Sequence, residues 1–134
     1  MFKLFKKKVI IDTNFLMIPG ELGIDIFSEI DRLIDESYVL CIMEATQKEL
    51  QKIVEKHRAK KKGFNAKLAY IMIHQKKIKV ITHTQDYADD AIVSFASSKD
   101  CFVCTQDKEL KNRLKNTKAK VIVLKQKKYL DFES

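Results

Sequence analysis

Five short apolar runs along the chain have the composition of buried β-strands. They contain many β-branched residues and little polar alternation, which is typical of strands that are covered on both faces. The predicted strands span residues 8–12, 38–43, 78–81, 102–104 and 121–124. The remaining residues, 125–134, mix lysines with apolar residues and are expected to dock on the body of the protein or on a partner.

The segments between these runs carry apolar residues at helical spacing. In the first of them, Ile26, Ile30 and Leu33 fall on one face and acidic residues lie between them. Helices are predicted over residues 22–34, 46–56, 64–75, 87–97 and 108–115. Because strands alternate with helices, right-handed crossovers and a parallel sheet follow. We expect a three-layer α/β/α fold with about five parallel strands and helices on both faces.

The length and composition favour one globular domain. The 134 residues suit a single domain spanning 1–134, and neither a linker nor an internal repeat is evident. No apolar run approaches the roughly 20 residues of a membrane span, and residues 1–5 are too few for a signal-peptide core. We therefore expect a cytoplasmic protein that does not enter a membrane.

The charge favours a polyanionic partner. The chain has 26 Lys and Arg against 18 Asp and Glu, a formal net charge of +8. The alternative is the lysine-rich, solvated surface of a heat-adapted protein. A basic connection precedes the third predicted helix and is a candidate rim for RNA phosphates, with Lys56, Arg58, Lys60, Lys61 and Lys62 as its cations.

Cysteine and histidine do not suggest a zinc site. Cys101 and Cys104 have the spacing of half such a site, but they fall in a predicted strand, where positions three apart face opposite ways. Together with Cys41 they are expected to be buried and reduced. The three histidines lack a metal-binding spacing, and no chemistry is assigned to them.

Several acidic residues are predicted to meet at one edge of the sheet. Strand ends and the starts of the following helices lie on the same side of a parallel sheet, where ligands bind in folds of this class. Asp12 ends the first predicted strand. The other acids follow the second, third and fourth strands and are Glu49, Asp86, Asp89, Asp90 and Asp107.

Such a cluster favours hydrolysis with the help of a divalent cation. Carboxylates in one cleft repel one another unless positive charge joins them. Mg²⁺ or Mn²⁺ suits a ligand set made of carboxylate oxygens. These ions activate water and stabilise the leaving oxygen in phosphodiester cleavage, which agrees with the positive net charge.

Most of these acids also have a structural explanation. Thr46 and Glu49 have the spacing of a capping box, and Asp89 and Asp107 stand where helix N-caps occur. Asp12 differs, because the next predicted helix begins about ten residues later. Its alternative role is only that of a turn residue.

Four motifs in order make the chain resemble the PIN-domain nucleases. They are VIIDTNFL at 9–16, Glu49-Leu50 with Ile53, ADDAI at 88–92 and CTQDKEL at 104–110. The resemblance runs from about residue 8 to residue 124. It implies a metal-dependent nuclease that acts mostly on RNA.

The resemblance also implies roles for individual residues. The metal ligands would be Asp12, Glu49, Asp107 and one acid of the Asp89/Asp90 pair, in which Asp89 takes the usual ligand place. Asp90 would hold a water or a second ion, since adjacent helical positions point about 100° apart. Supporting hydroxyl and amide groups would come from Thr13, Asn14 and Thr105. A homodimer is an expectation from the family alone.

Within the family, the motifs look most like the stand-alone relatives of the endonuclease that matures small-subunit rRNA, which implies rRNA or its precursor as substrate. The neighbouring branch is the VapC toxins, which pair with an antitoxin. An RNA-binding PIN module that no longer cuts is a third possibility, although such modules usually lose an acid.

Two other classes of doubly wound protein are disfavoured by the sequence. Haloacid dehalogenase phosphatases require a second Asp at the position where this chain has Asn14. Phosphorelay receivers require adjacent acids near the first strand, which this chain lacks.

Overall fold

The protein is built on one mostly parallel β-sheet. The structure, a computed structural model, describes residues 6–134. Six strands pair in the order β3-β2-β1-β4-β5-β6, parallel except for the antiparallel β5–β6 pair. The strands are β1 (Lys7–Ile11), β2 (Tyr38–Met43), β3 (Lys79–Ile81), β4 (Cys101–Cys104), β5 (Ala119–Lys125) and β6 (Tyr129–Phe132).

Helices cover both faces of this sheet, which confirms the predicted three-layer α/β arrangement. A short 3₁₀ helix, Phe15–Met17, follows β1. The α-helices are α1 (Ile18–Leu22), α2 (Ile26–Leu33), α3 (Glu44–Lys56), α4 (Lys61–Gln75), α5 (Ala88–Ser98) and α6 (Lys108–Leu114). Alternate strand residues supply two buried cores: α2, α3 and α4 pack on one face, and α5 and α6 pack on the other.

The three cysteines are free and buried, as expected. Cys101 and Cys104 contribute to different cores because they lie on opposite faces of β4. Burial raises the pKa of the Cys101 thiol to about 11 and that of the Cys104 thiol still further. Both thiols are therefore neutral packing groups at physiological pH.

The sixth strand was not predicted. Residues 125–134 dock on the body, because β6 pairs with β5 and the Leu130 carbonyl accepts a hydrogen bond from Arg32 of α2 at 2.7 Å. The turn between the two strands has positive φ at Gln126 and Lys127, 54° and 53°. Hairpin turns of this kind favour Asn and Gly, so a Gln-Lys pair gives no sequence signal.

Two predicted helix starts were wrong. The predicted helix over 22–34 is two helices: α1 ends at Gly23, whose φ is 69°, and α2 begins only after Asp25. The Asp25 side chain caps α2 by accepting from the N–H groups of Phe27 and Ser28. In the other direction, α4 begins three residues before the predicted start at 64, so Lys61 and Lys62 are helical. The other helix bounds differ by one or two residues.

The strand order places a crevice beside β1. The chain runs from β1 to β2 and β3 on one side and reaches β4 and β5 on the other, so the order reverses between β1 and β4. Open α/β sheets bind ligands at such a point, beyond the carboxyl ends of the strands. No helix within residues 6–134 is both long enough and apolar enough to span a membrane.

Candidate active site

Asp12 lies at the point where the strand order reverses. It follows β1 directly rather than ending it, and its N–H continues the pairing with β4 by donating to the Cys104 carbonyl at 3.0 Å. The residue is only 6% exposed. The carboxylate accepts from the Thr13 N–H at 2.8 Å and from the Thr105 hydroxyl at 2.9 Å. A helix does begin three residues later, but Asp12 contacts it through its backbone carbonyl, so the buried carboxylate is not a cap.

Glu49 reaches the same crevice from α3. The proposed capping box is wrong, because α3 begins at Glu44 and Thr46 is a buried residue within it. One Glu49 oxygen accepts from the Thr13 hydroxyl at 2.7 Å, and the other accepts from the N–H of Ala88, the first residue of α5, at 3.3 Å. Glu49 therefore joins α3 to the segment that follows β1 and to α5 instead of capping its own helix.

Asp89 and Asp90 stand in the first turn of α5 but face different neighbours. The N-cap of α5 is Tyr87, so the capping explanation for Asp89 is wrong. Asp90 accepts from the Arg113 guanidinium of α6 at 2.8 Å, and both side chains are substantially exposed. Asp89 is half-buried and lies close enough to Asp107 and Glu49 for their charges to act on it.

Asp107 combines the two roles that the sequence suggested. Its side chain caps α6 by accepting from the Leu110 N–H at 2.9 Å. Its own N–H donates to the Thr105 hydroxyl at 3.0 Å, and that hydroxyl donates to Asp12. Thr105 is fully buried, so one hydroxyl fixes the positions of two acids.

The acids destabilise one another's charged forms. Burial raises the pKa of Asp12 from 3.8 to about 6, repulsion from Asp89 and Glu49 adds to the rise, and the Thr105 hydrogen bond opposes it. Burial, followed by repulsion from Asp107 and Glu49, also raises the pKa of Asp89. The charge of Arg113 opposes the rise at Asp89 without cancelling it, so the pKa of Asp89 stays raised.

The carboxylates of the crevice suit a hard divalent cation in both their donor atoms and their charge. Four carboxylates from four segments act on one another, and all their donor atoms are oxygens. Within residues 6–134 no three Asp, Glu, His or Cys side chains are drawn together tightly enough to enclose an ion. Several of these oxygens are occupied by the hydrogen bonds described above.

One polar and one acidic side chain that were expected at this edge of the sheet are exposed. Asn14 is exposed and precedes the 3₁₀ helix without making a side-chain capping bond. Asp86 is exposed in the loop before α5. The structure does not draw either side chain into the group around Asp12.

The family assignment follows from comparison with known proteins. Residues 9–127 match the family described as PIN like domain. The chain belongs to the PIN family. The PIN domain endonuclease Utp24 has a similar solved structure, with a TM-score of 0.77 and 27% identity over 94% of this chain and 90% of that one.

Two curated relatives represent both branches that the sequence suggested. Ribonuclease VapC4 of Methanocaldococcus jannaschii is 33% identical over 128 residues, 92% of this chain and 95% of that protein. The rRNA-processing protein fcf1 of Schizosaccharomyces pombe is 30% identical over 110 residues, which cover 80% of this chain and 53% of that protein. The match to fcf1 therefore takes in about half of that relative's length. The expected likeness to rRNA-processing and VapC ribonucleases is confirmed.

The contacts that three residues make in this region were not predicted from the sequence. Thr46 lies 3.3 Å from the Thr13 hydroxyl, and its position one helical turn before Glu49 could have indicated it. Arg113 of α6 donates to the Asp90 carboxylate of α5 at 2.8 Å, and the sequence around Arg113 gives no signal of this contact. His83 accepts from the Ala45 N–H at 3.0 Å and so caps α3, a long-range contact that no local pattern signals.

The basic residues predicted to contact RNA lie at the tip of a helical hairpin. Gln51 of α3 donates to the Tyr70 hydroxyl of α4, and the α3–α4 turn is tight because Gly63 packs against the backbone of His57. The start of α4 touches α1, which follows β1 at the carboxyl edge, since Asn65 lies against Gly20. The tip therefore lies on the carboxylate side of the sheet. Its exposed cations are Lys56, Arg58, Lys60, Lys61 and Lys62.

The substitution Thr105→Val tests how the hydroxyl positions the acids. Valine has nearly the same shape but removes the hydrogen bonds to Asp12 and Asp107. We expect the pKa of Asp12 to rise above about 6. RNA cleavage should fall about 10- to 100-fold, the loss that is typical when a group that orients a metal-binding side chain is removed. Carboxyl NMR titration in EDTA reports the pKa, and RNA cleavage assays report the rate.

The matched control is Thr105→Ser, which keeps the hydroxyl and should restore both values. A valine variant with an unchanged Asp12 pKa and unchanged cleavage would show that Thr105 only fills space.

Proposed function

We propose that this chain is a divalent-metal-dependent endoribonuclease that hydrolyses RNA phosphodiester bonds. The observation that carries the proposal is the buried Asp12, whose charge is opposed by acids from α3 and α5 at the switch point of the sheet. Uncompensated buried charge is costly and is found at sites that bind cations or perform chemistry. Mg²⁺ or Mn²⁺ would be held by Asp12, Glu49, Asp89 and Asp107.

The protein's own contribution is to hold these groups in fixed positions. Thr105 and the Thr13 N–H fix the two oxygens of Asp12, and the Thr13 hydroxyl and Ala88 N–H fix those of Glu49. Asp107 is fixed through its capping bond to α6. A divalent cation bound there would supply the charge that lowers the pKa of an attacking water and stabilises the leaving oxygen.

The charge distribution supports RNA as substrate. The net charge of +8 attracts a polyanion, and five exposed cations stand at the hairpin tip on the carboxylate side. Phosphates bound at the tip would bring the chain of an RNA molecule to the acidic crevice. The cation site and the basic tip then have complementary roles in cutting and holding.

We favour rRNA or its precursor as the substrate. The likeness to the rRNA-processing protein fcf1 supports that substrate, and the likeness to the Utp24 structure supports endonuclease activity. The full-length likeness to VapC4 supports the alternative, a toxin ribonuclease neutralised by an antitoxin. Growth arrest on expression, relieved by a small partner protein, would favour the toxin, whereas recovery of crosslinked pre-rRNA would favour processing.

The decisive experiment is cleavage of structured RNA by the purified chain in EDTA, Mg²⁺ or Mn²⁺. We expect cutting only with a divalent cation, and inhibition as salt rises because phosphate contacts release counterions. Equal cutting in EDTA would disprove metal dependence. Absence of cutting under all three conditions, with RNA binding retained, would favour the non-cutting RNA-binding module.

A further inference from the structure

Gln106 is the residue between Thr105 and Asp107, in the connection from β4 to α6. The residue is exposed, yet both polar atoms of its side-chain amide are bound to the backbone of Leu124 in β5. Nε2 donates to the Leu124 carbonyl at 3.1 Å, and Oε1 accepts from the Leu124 N–H at 2.7 Å. One planar group therefore ties this connection to the neighbouring strand at two points.

These two bonds continue the pairing of β4 with β5 beyond the end of β4. The Thr105 N–H, one residue past that end, still donates to the Ile122 carbonyl at 3.1 Å. In the same register Leu124 is opposite Gln106. If the parallel ladder went on, Leu124 would bond to the Thr105 carbonyl and to the Asp107 N–H. The Gln106 amide takes both of these places, so a side chain substitutes for the main chain.

This substitution leaves the Asp107 backbone available to the site. The Leu124 carbonyl is already bound to Gln106. The Asp107 N–H donates instead to the Thr105 hydroxyl at 3.0 Å, and the chain turns into α6 with Asp107 as its N-cap. The Thr105 hydroxyl in turn donates to Asp12 at 2.9 Å. Gln106 thus begins a series of contacts that ends at the buried carboxylate.

The length and the chemistry of the side chain are both needed for this arrangement. A single exposed hydrogen bond stabilises little, because water competes for both partners. Here one amide supplies a donor and an acceptor in fixed geometry, and the backbone on either side of it carries groups of the site. Asparagine is one methylene shorter, and an apolar residue of the same length offers neither atom.

We propose that Gln106 is a positioning residue for the cation site, which holds Thr105 and Asp107 in place beside Asp12. The inference rests on the proposed nuclease function and deepens it. Gln106 fixes one ligand of the cation through the backbone and a second through Thr105, without contacting the cation or the RNA. Partners of this kind, outside the ligand set itself, orient the ligands of metal sites in proteins.

The first measurement needs neither a cation nor activity. The substitution Gln106→Met in the full chain keeps the length of the side chain but removes both bonds to Leu124. Amide hydrogen exchange is followed by NMR in EDTA. Exchange at the Asp107 N–H should become about tenfold faster, as expected when hydrogen bonds of ordinary strength no longer hold the segment. Thermal unfolding shows that the fold is retained.

The second measurement is the affinity for Mn²⁺. Calorimetric titration of Gln106→Met with Mn²⁺ should show an affinity about 10- to 100-fold lower than that of the wild type. RNA cleavage should fall by a similar factor at low Mn²⁺ and recover in part at saturating Mn²⁺, while the KM for RNA stays unchanged. The matched control is Gln51→Met, which removes the exposed hydrogen bond from Gln51 to Tyr70 and should change none of these quantities.

The outcomes separate this inference from the proposed function. Equal Asp107 exchange in Gln106→Met and the wild type would overturn the inference, and so would equal affinity for Mn²⁺ where the wild type binds it. A higher KM for RNA with unchanged Mn²⁺ affinity would show that Gln106 contacts RNA instead. If the wild type binds no Mn²⁺ and cuts no RNA, the proposed function fails. Faster Asp107 exchange in Gln106→Met alone would then still support the positioning of Thr105 and Asp107.

Discussion

Asp12→Asn is expected to lower RNA cleavage by about 100- to 1000-fold while making the folded protein more stable at neutral pH. Loss of one preorganised charged group at a reaction centre lowers rates by about 100- to 1000-fold. The fold should gain because the carboxylate is buried among other acids. The rise of its pKa from 3.8 to about 6 corresponds to about 3 kcal/mol of destabilisation at most. Because asparagine weakens the bond from Thr105, we expect a net gain of about 1–2 kcal/mol.

The stability gained by Asp12→Asn should increase as pH rises. Between pH 3.8 and about 6 the folded state holds the Asp12 proton more tightly than the unfolded state does. The free energy of unfolding of the wild type therefore falls as pH rises through this window, and the full penalty remains above it. The advantage of Asp12→Asn should grow from pH 4.5 to pH 7.5 in EDTA, measured by urea denaturation.

Adding a divalent cation should make the wild type more stable than Asp12→Asn. A cation that binds only the folded wild type adds stability by mass action, and Asp12→Asn should gain much less. Asp35→Asn is the matched control, because this exposed acid lies before β2 at the opposite edge. It should change neither cleavage nor stability. Wild-type cleavage by Asp12→Asn, or a loss of stability at pH 7.5, would contradict the proposed site.

The parts of the fold that depend on local pattern could be predicted from the sequence. The parallel strands are continuous apolar runs because both their faces are covered, and this composition is visible in the chain itself. Strand β6 was missed because it is defined by pairing with β5 across a Gln126-Lys127 turn that lacks the usual residues. The start of α2 was placed too early because apolar Leu22 and Ile24 extend the helical pattern across Gly23.

The site could be predicted as a set of acids but not as a set of contacts. The place of Asp12 at the carboxyl edge follows from the parallel sheet that the alternation of strands and helices implies. The spacing of Thr46 and Glu49 matches a capping box, but in the folded protein Glu49 makes tertiary contacts instead. It accepts hydrogen bonds from Thr13 and Ala88, which are distant in sequence. Only the folded chain shows which acids repel one another.

The two adjacent acids of α5, Asp89 and Asp90, should differ sharply in their effect on cleavage when each is replaced by asparagine. Asp89 is half-buried and its pKa is raised by burial and by the charges of Asp107 and Glu49, so it belongs to the group that a cation would neutralise. Asp90 is paired with Arg113 at the exposed α5–α6 contact. Asp89→Asn should lower cleavage about 100-fold. Asp90→Asn should lower it by less than about fivefold, because exposed ion pairs contribute little.

The two variants are each other's control, since they remove the same charge from neighbouring positions of one helical turn. Steady-state cleavage rates at saturating Mn²⁺ and the stability gained on adding Mn²⁺ should both single out Asp89. Arg113→Met should behave like Asp90→Asn if that pair only joins α5 to α6. An equal loss in both acidic variants would mean that Asp90 leaves Arg113 to join the cation site, and Arg113→Met would then alter cleavage as well.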